Sequence, residues 1–217
     1  MSFPYPGPVP MFPLGSVLLP GMVLPLHVFE ERYRQLVETV LAQPEPVFGV
    51  TLIERGSEVG GGDVRAEVGC LAQVVEAAQT PDGRWAVISV GTERVRVTGW
   101  LADDPYPAAT LEPFPDPEVD PALLADALRP VEVAVRAVAG LAELMGAPAL
   151  PEELDLSDDP VLRGYQLAVL SPLGALDRQR VLVCSGPLLR TALLAELLAE
   201  QEEMLRAQLD AGGPGPD

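Results

Sequence analysis

Hydrophobic positions recur with two rhythms along the 217 residues. From about residue 10 to 114 the apolar runs are short, rich in valine and punctuated by turn residues. Met11–Leu14 and Met22–Val28, separated by the turn dipeptide Pro20-Gly21, predict strands. Between Phe29 and Leu41 the period lengthens. Phe29, Tyr33, Leu36, Val37, Val40 and Leu41 share one face of an amphipathic helix, with Glu30, Glu31, Arg34 and Glu38 opposite. Gln43-Pro44 ends it. Val47–Ile53 predicts a buried strand, Glu54–Asp63 a mobile loop and Val64–Ala78 a long strand. Thr80-Pro81-Asp82-Gly83 is a hairpin turn. Two strands follow, Trp85–Val90 and Arg94–Trp100. In the second, Val95 and Val97 face one way and Arg94, Arg96 and Thr98 the other. Pro105–Leu111 closes the series, and the set predicts a small barrel or folded sheet.

From about 118 to 210 the apolar spacing is helical. Asp120-Pro121, Asp158 or Asp159 before Pro160, Ser171-Pro172 and Ser185 before Pro187 each place a capping side chain ahead of a first-turn proline. Helices are predicted near 121–145, 159–170, 173–183 and 186–209. Pro130 should kink or split the first. The last carries a broad stripe of Leu189, Leu193, Leu194, Leu197, Leu198, Met204, Leu205 and Leu209. The expected organisation is α+β: a β lobe over 1–116, a helical lobe over 117–211 and a disordered tail over 212–217.

Composition narrows the function. The net charge is -18, which disfavours nucleic-acid backbones as partners. The 14 basic residues are all arginine. The N-terminus has neither the basic nor the apolar region of a signal peptide, and no run reaches the roughly 18 apolar residues of a membrane span. A cytoplasmic protein with no membrane partner is expected. Cys70 and Cys184 each sit in apolar runs and read as buried free thiols rather than a disulfide framework.

No catalytic or metal constellation stands out. Gly60-Gly61-Gly62 lacks the lysine and strand–helix context of a phosphate loop and reads as a flexible hairpin. His27 with Cys70 or Cys184 could be drawn as a base and nucleophile, but packing is the simpler account. Ser185 lacks a nucleophile elbow. Asp155, Asp158 and Asp159 lack the spacing of a calcium loop, and one histidine with two distant cysteines cannot build a zinc tetrad. No cofactor or metal is expected.

Several blocks carry a family pattern. They are Phe12-Pro13-Leu14, then Val17-Leu18-Leu19-Pro20-Gly21, then Leu24-Pro25-Leu26-His27-Val28-Phe29-Glu30-Glu31-Arg32-Tyr33. Glu58-Val59-Gly60, Glu67-Val68-Gly69-Cys70, Asp82-Gly83-Arg84, Gly91-Thr92-Glu93-Arg94-Val95-Arg96-Val97 and Asp104-Pro105-Tyr106 follow in order, before a helical stretch from Leu170 to Leu205. Together they resemble the N-terminal, substrate-binding domain of Lon proteases. The resemblance implies a PUA-like β-barrel lobe followed by a helical lobe, and a free-standing member without the ATPase and protease. The ATPase would need a Walker lysine and the protease a lysine base, and this chain has no lysine.

The expected function is therefore non-catalytic binding of unfolded or extended polypeptide, or of an unidentified partner protein. The alternative is a small-ligand or sensor protein using a cleft between the lobes. Candidate binding residues are the apolar surplus Phe12, Leu14, Leu18, Leu19, Pro20, Met22 and Leu24, with edge-strand pairing beside them. Leu198 and Leu205 on the last helix are candidates for a partner or a homodimer. Pro13, Gly21, Pro25, Phe29, Glu30, Arg32, Tyr33, Gly91 and Arg94 are expected to be structural. Glu30 should pair with Arg34, and Arg32 should pin the helix to a strand end.

Overall fold

A computed structural model describes residues 7–56 and 64–211. The triglycine segment and the C-terminal tail lie outside these residues, as do Glu58, Val59 and Gly60. The chain divides into two compact units, one ending at Pro115 and one beginning at Asp116.

The first unit contains six strands and a helix: β1 (Val9–Leu14), β2 (Val23–Val28), α1 (Glu31–Leu41), β3 (Val47–Arg55), β4 (Val64–Gln79), β5 (Trp85–Trp100) and β6 (Ala108–Pro113). The sheet order is β2-β5-β4-β3-β1-β6, and β6 pairs again with β5. Five strands therefore close into a ring. β1 and β3 run parallel, with α1 in the connection between them, and the other pairs are antiparallel. Alternation along the strands sorts the core into two. Val9, Val47, Leu71, Val95 and Leu111 form one cluster, with one residue from each ring strand. The opposite set, including Phe12, Leu14, Phe48, Val50 and Cys70, packs with Leu24, Val28 and the α1 residues Tyr33, Leu36, Val37 and Val40. β1 is buried on both faces for this reason.

β5 is one strand of 16 residues, not two. Gly91 reads as punctuation in the sequence. In the ladder its N–H donates to Met22 O and its carbonyl accepts from Gly21 N–H. The helix begins at Glu31, because Glu30 has extended backbone (ψ 136°), so Phe29 stands outside it. Arg94 is not on a polar face. It is 5% exposed, and its guanidinium lies 4.4 Å from the Phe114 ring centroid, with Arg96 at 4.7 Å.

The second unit contains α2 (Pro121–Leu144), α3 (Pro160–Leu170), α4 (Ala175–Val183) and α5 (Pro187–Ala211). Asp120 and Asp159 cap α2 and α3 by accepting from Ala122 N–H and Val161 N–H, worth about 1 kcal/mol each. α2 pairs chiefly with α5. The seam is Leu124, Leu128, Val131, Val135 and Val138 on one helix and Leu194, Leu197, Leu198 and Leu205 on the other.

Pro130 does not split α2. Proline and the Asp126 carbonyl it frees are both at exposed positions, where water can serve as the partner. Ser171 caps no helix. It ends α3, its hydroxyl donates to Leu167 O, and Gly174 holds the cap position of α4. Gly186, not Ser185, immediately precedes α5 and accepts from Arg190 N–H. Among the described residues, no helix is long and apolar enough to cross a membrane.

Candidate functional site

The first half of β5 projects past the ring and carries β2 on one side and the end of β4 on the other. Leu24, Val28 and Val87 point inward to α1 from this three-stranded arm. Val23, Pro25, His27, Ala78 and Ile88 are exposed on its other face. The hairpin at its tip is a type I turn closed by a glycine bulge. Thr80 N–H donates to Arg84 O and Gly83 N–H to Thr80 O, both at 2.8 Å. Gly83 has φ +80°, and a Cβ there would sit 2.8 Å from a guanidinium nitrogen of Arg34. The α1 side chain thus props the turn from below. The Thr80 hydroxyl donates to Asp82 and is the main cause holding that carboxyl below its ordinary value.

Beside the turn lies a hollow of about 450 Å³ lined by His27, Phe29, Trp85, Ala86 and the turn residues Thr80, Pro81, Asp82 and Arg84. A smaller hollow of about 110 Å³ shares His27 and Phe29 and reaches Leu14, Leu26 and Tyr33. Phe29 is the lip between them and is 60% exposed. Trp85 Nε1 is buried without an acceptor among the described residues. The surface is apolar and aromatic with one histidine and an Arg/Asp pair, a composition suited to holding side chains rather than activating bonds.

The apolar surplus is not this surface. Phe12, Leu14, Leu18, Leu19, Pro20 and Leu24 are buried, and Met22 is half-buried against the same core. β1 is buried along its whole length, and of its residues Phe12 and Leu14 line the smaller hollow. Leu198 and Leu205 are buried in the helical unit. The exposed apolar residues there are others, among them Leu176, Leu189 and Met204.

The motif residues instead meet as joints. Met22 N–H bonds to Leu19 O around Pro20 and a positive-φ Gly21, and this turn sits on Gly91. Two sequence blocks about 70 residues apart are therefore one contact. Pro13 pairs with Thr51 between β1 and β3. Tyr33 stacks on Phe12 at 4.1 Å, an aromatic contact worth about 1 kcal/mol beyond its buried area, and Arg32 lies 4.5 Å over the Tyr33 ring. Arg32 thus reaches β1 through Tyr33. Glu30 pairs with Arg32 at 3.1 Å, and Arg34 pairs with Glu31 instead. Phe29 is the motif residue with an exposed ring. Its place on the helical period hid this, since nothing in the sequence shows that Glu30 breaks that period.

The chemical candidates do not converge. Cys70 is fully buried within the core, whereas His27 is exposed on β2. Burial pushes the Cys70 thiol up to about 12, against an ordinary 9.0. Its contribution to stability is full below pH 9 and is lost as pH rises towards 12, where the unfolded thiol ionises and the folded one does not. At pH 8 an aromatic disulfide reagent should titrate the half-buried Cys184 in native protein and reach Cys70 only in denaturant. Two thiols reacting at equal rates in the native state would contradict the placement of Cys70. Asp159 is occupied as a cap, and among the described residues no three His, Cys, Asp or Glu side chains are grouped to hold a metal.

The family model for the ATP-dependent protease La (LON) substrate-binding domain matches residues 8–200. The chain belongs to the LON substrate-binding domain family. "Lon protease 2" of Herpetosiphon aurantiacus is 28% identical over 204 residues, covering 92% of this chain and 24% of that protein. "Lon protease" of Escherichia coli K12 is 24% identical over 209 residues, covering 92% and 26%. This LON-family chain thus spans about a quarter of the curated relatives it matches. Among solved structures, a Lon N-terminal domain protein from Xanthomonas campestris superposes with a TM-score of 0.61 at 29% identity, over 89% of this chain and 98% of that one. The N-terminal domain of a Mycobacterium avium complex Lon protease gives 0.64 at 16% identity, over 89% and 99%, and shares the fold.

Proposed function

We propose that this chain is a non-catalytic module that binds extended or unfolded polypeptide on the outer face of its arm. Membership of a substrate-binding family supports polypeptide as the class of ligand. The observation that carries the location is Phe29, a large aromatic side chain held in the open at the lip of the hollow by Pro81, Trp85 and His27. An exposed ring over an apolar depression is the usual form of a binding hot spot. The acidic chain adds long-range attraction for basic segments.

Phe29→Ser is expected to weaken binding of an unfolded model polypeptide, such as reduced and carboxamidomethylated lysozyme, at least tenfold by fluorescence anisotropy. The urea midpoint should stay put, because exposed substitutions change stability by under about 0.5 kcal/mol. Unchanged affinity with Phe29→Ser would remove the site, and no binding by the unaltered protein would remove the function.

A further inference from the structure

The arm has two outer edges, and they differ. Gly91 N–H bonds to Met22 O, so alternation along the antiparallel pair turns the backbone groups of Leu24 and Leu26 towards β5. Those of Val23, Pro25 and His27 face the open side. Pro25 sits in the middle of that edge and has no N–H to offer. The β2 edge is therefore closed to a continuous added strand.

The β4 edge is open. Thr80 N–H bonds to Arg84 O, and the register pairs Gln79 with Trp85, Ala78 with Ala86, Ala77 with Val87 and Glu76 with Ile88. Counting back from the turn, the Ala78 and Glu76 backbone groups face β5, and those of Ala77 and Gln79 face outward. β3 stops covering this side at Gln73, and Val74 N–H is taken by Pro46 O. A bulge between Val74 and Glu76 then leads the strand away from β3. Among the described residues, no strand pairs with β4 from Val75 to Gln79 on the side away from β5.

We infer that extended polypeptide is captured by strand addition to the outer edge of β4, through the main-chain groups of Ala77 and Gln79. This rests on the polypeptide-binding reading and deepens it. Main-chain pairing is tolerant of sequence, as capture of unfolded chains requires. The added strand would continue two cross-strand rows on the exposed face, Pro25–Ile88–Glu76 and His27–Ala86–Ala78. A basic residue fits opposite Glu76 and apolar residues fit beside it. A second copy of this chain is the poorer occupant. Two chains of charge -18 repel, and Pro25 prevents the edge-to-edge series that would link β4 of one copy to β2 of the next.

The test uses the full chain and two probes: the carboxamidomethylated polypeptide above, and a nine-residue peptide in which valine alternates with lysine and threonine. Ala77→Pro and Gln79→Pro each place a proline ring where an outward N–H was, leaving the bonds to β5 intact. Both should weaken binding at least tenfold, while Leu176→Ser on an exposed position of the second unit should not. N-methylation of alternate peptide residues should abolish binding in one register only, and this needs no variant to fold. Full binding by a folded Ala77→Pro protein, or equal tolerance of both N-methylated registers, overturns strand addition while leaving polypeptide binding standing. Failure of both probes to bind the unaltered chain overturns both. Binding lost together with self-association of the unaltered protein on sedimentation would assign the edge to a second copy instead.

Discussion

Gly91→Ala should cost the first unit about 3 kcal/mol or more, seen as a lower urea midpoint followed by tryptophan fluorescence. Both tryptophans, Trp85 and Trp100, lie on β5, so the signal reports this unit alone. A Cβ at residue 91 would stand 2.3 Å from Leu19 O and 3.0 Å from Leu19 C, with Leu18 Cγ at 3.1 Å. The first two obstacles are backbone, and they belong to a turn already fixed by Pro20 and Gly21. Moving that turn breaks the bonds from Gly21 and Met22 and tilts Leu18 out of the core. Gly49→Ala is the informative contrast. Its Cβ would meet only the flexible side chain of Met11 closely, which can re-pack, so the loss should be clearly smaller. Equal midpoints for Gly91→Ala and the unaltered protein would show that the turn is not seated on β5.

Arg190→Ala should cost the helical unit about 3–5 kcal/mol, read from the helical circular dichroism signal in denaturant. The Arg190 side chain is 2% exposed, donates to Asp116 at 2.6 Å and lies 4.0 Å over the Tyr165 ring. Truncation leaves Asp116 nearly enclosed without this cation and opens a space between α3 and α5. Arg190→Lys should recover only part of the loss, because an ammonium cannot reproduce both a planar stack on tyrosine and a directed bond to the carboxylate. The outcome that would sink this account is full stability in Arg190→Ala.

Much of the fold was legible where one element dictates its own period. The turn at Thr80–Gly83, the proline-marked starts of α2 and α3 and the apolar runs of β3 and β4 all depend on neighbouring residues. Legibility fails where a distant partner decides. Gly91 looks like a break until Leu19 is known to lie on it. Phe12 and Leu14 look like a spare apolar surface until ring closure and α1 cover β1 from both sides. Arg94 looks like a polar-face residue until Phe114 lies over it. The family was legible from the order and spacing of its blocks, several of which meet in the fold, as Gly21 and Gly91 do. The candidate site was less so. Phe29 was read as core, and the difference between the β2 and β4 edges depends on which way each amide points, which hydrophobic patterning does not carry.

The closing of the ring by β6 also bears on how the chain is made. β1 begins at Val9 and β6 ends at Pro113, so within this unit β1 is made long before the strand that fills its second side. At about 5–20 residues per second, the roughly 100 intervening residues take on the order of 5–20 s. Through that interval Met11, Phe12 and Leu14 sit on a strand with at least one bare edge. A nascent chain at this stage is itself an extended apolar polypeptide, the kind of partner that the finished arm is proposed to take.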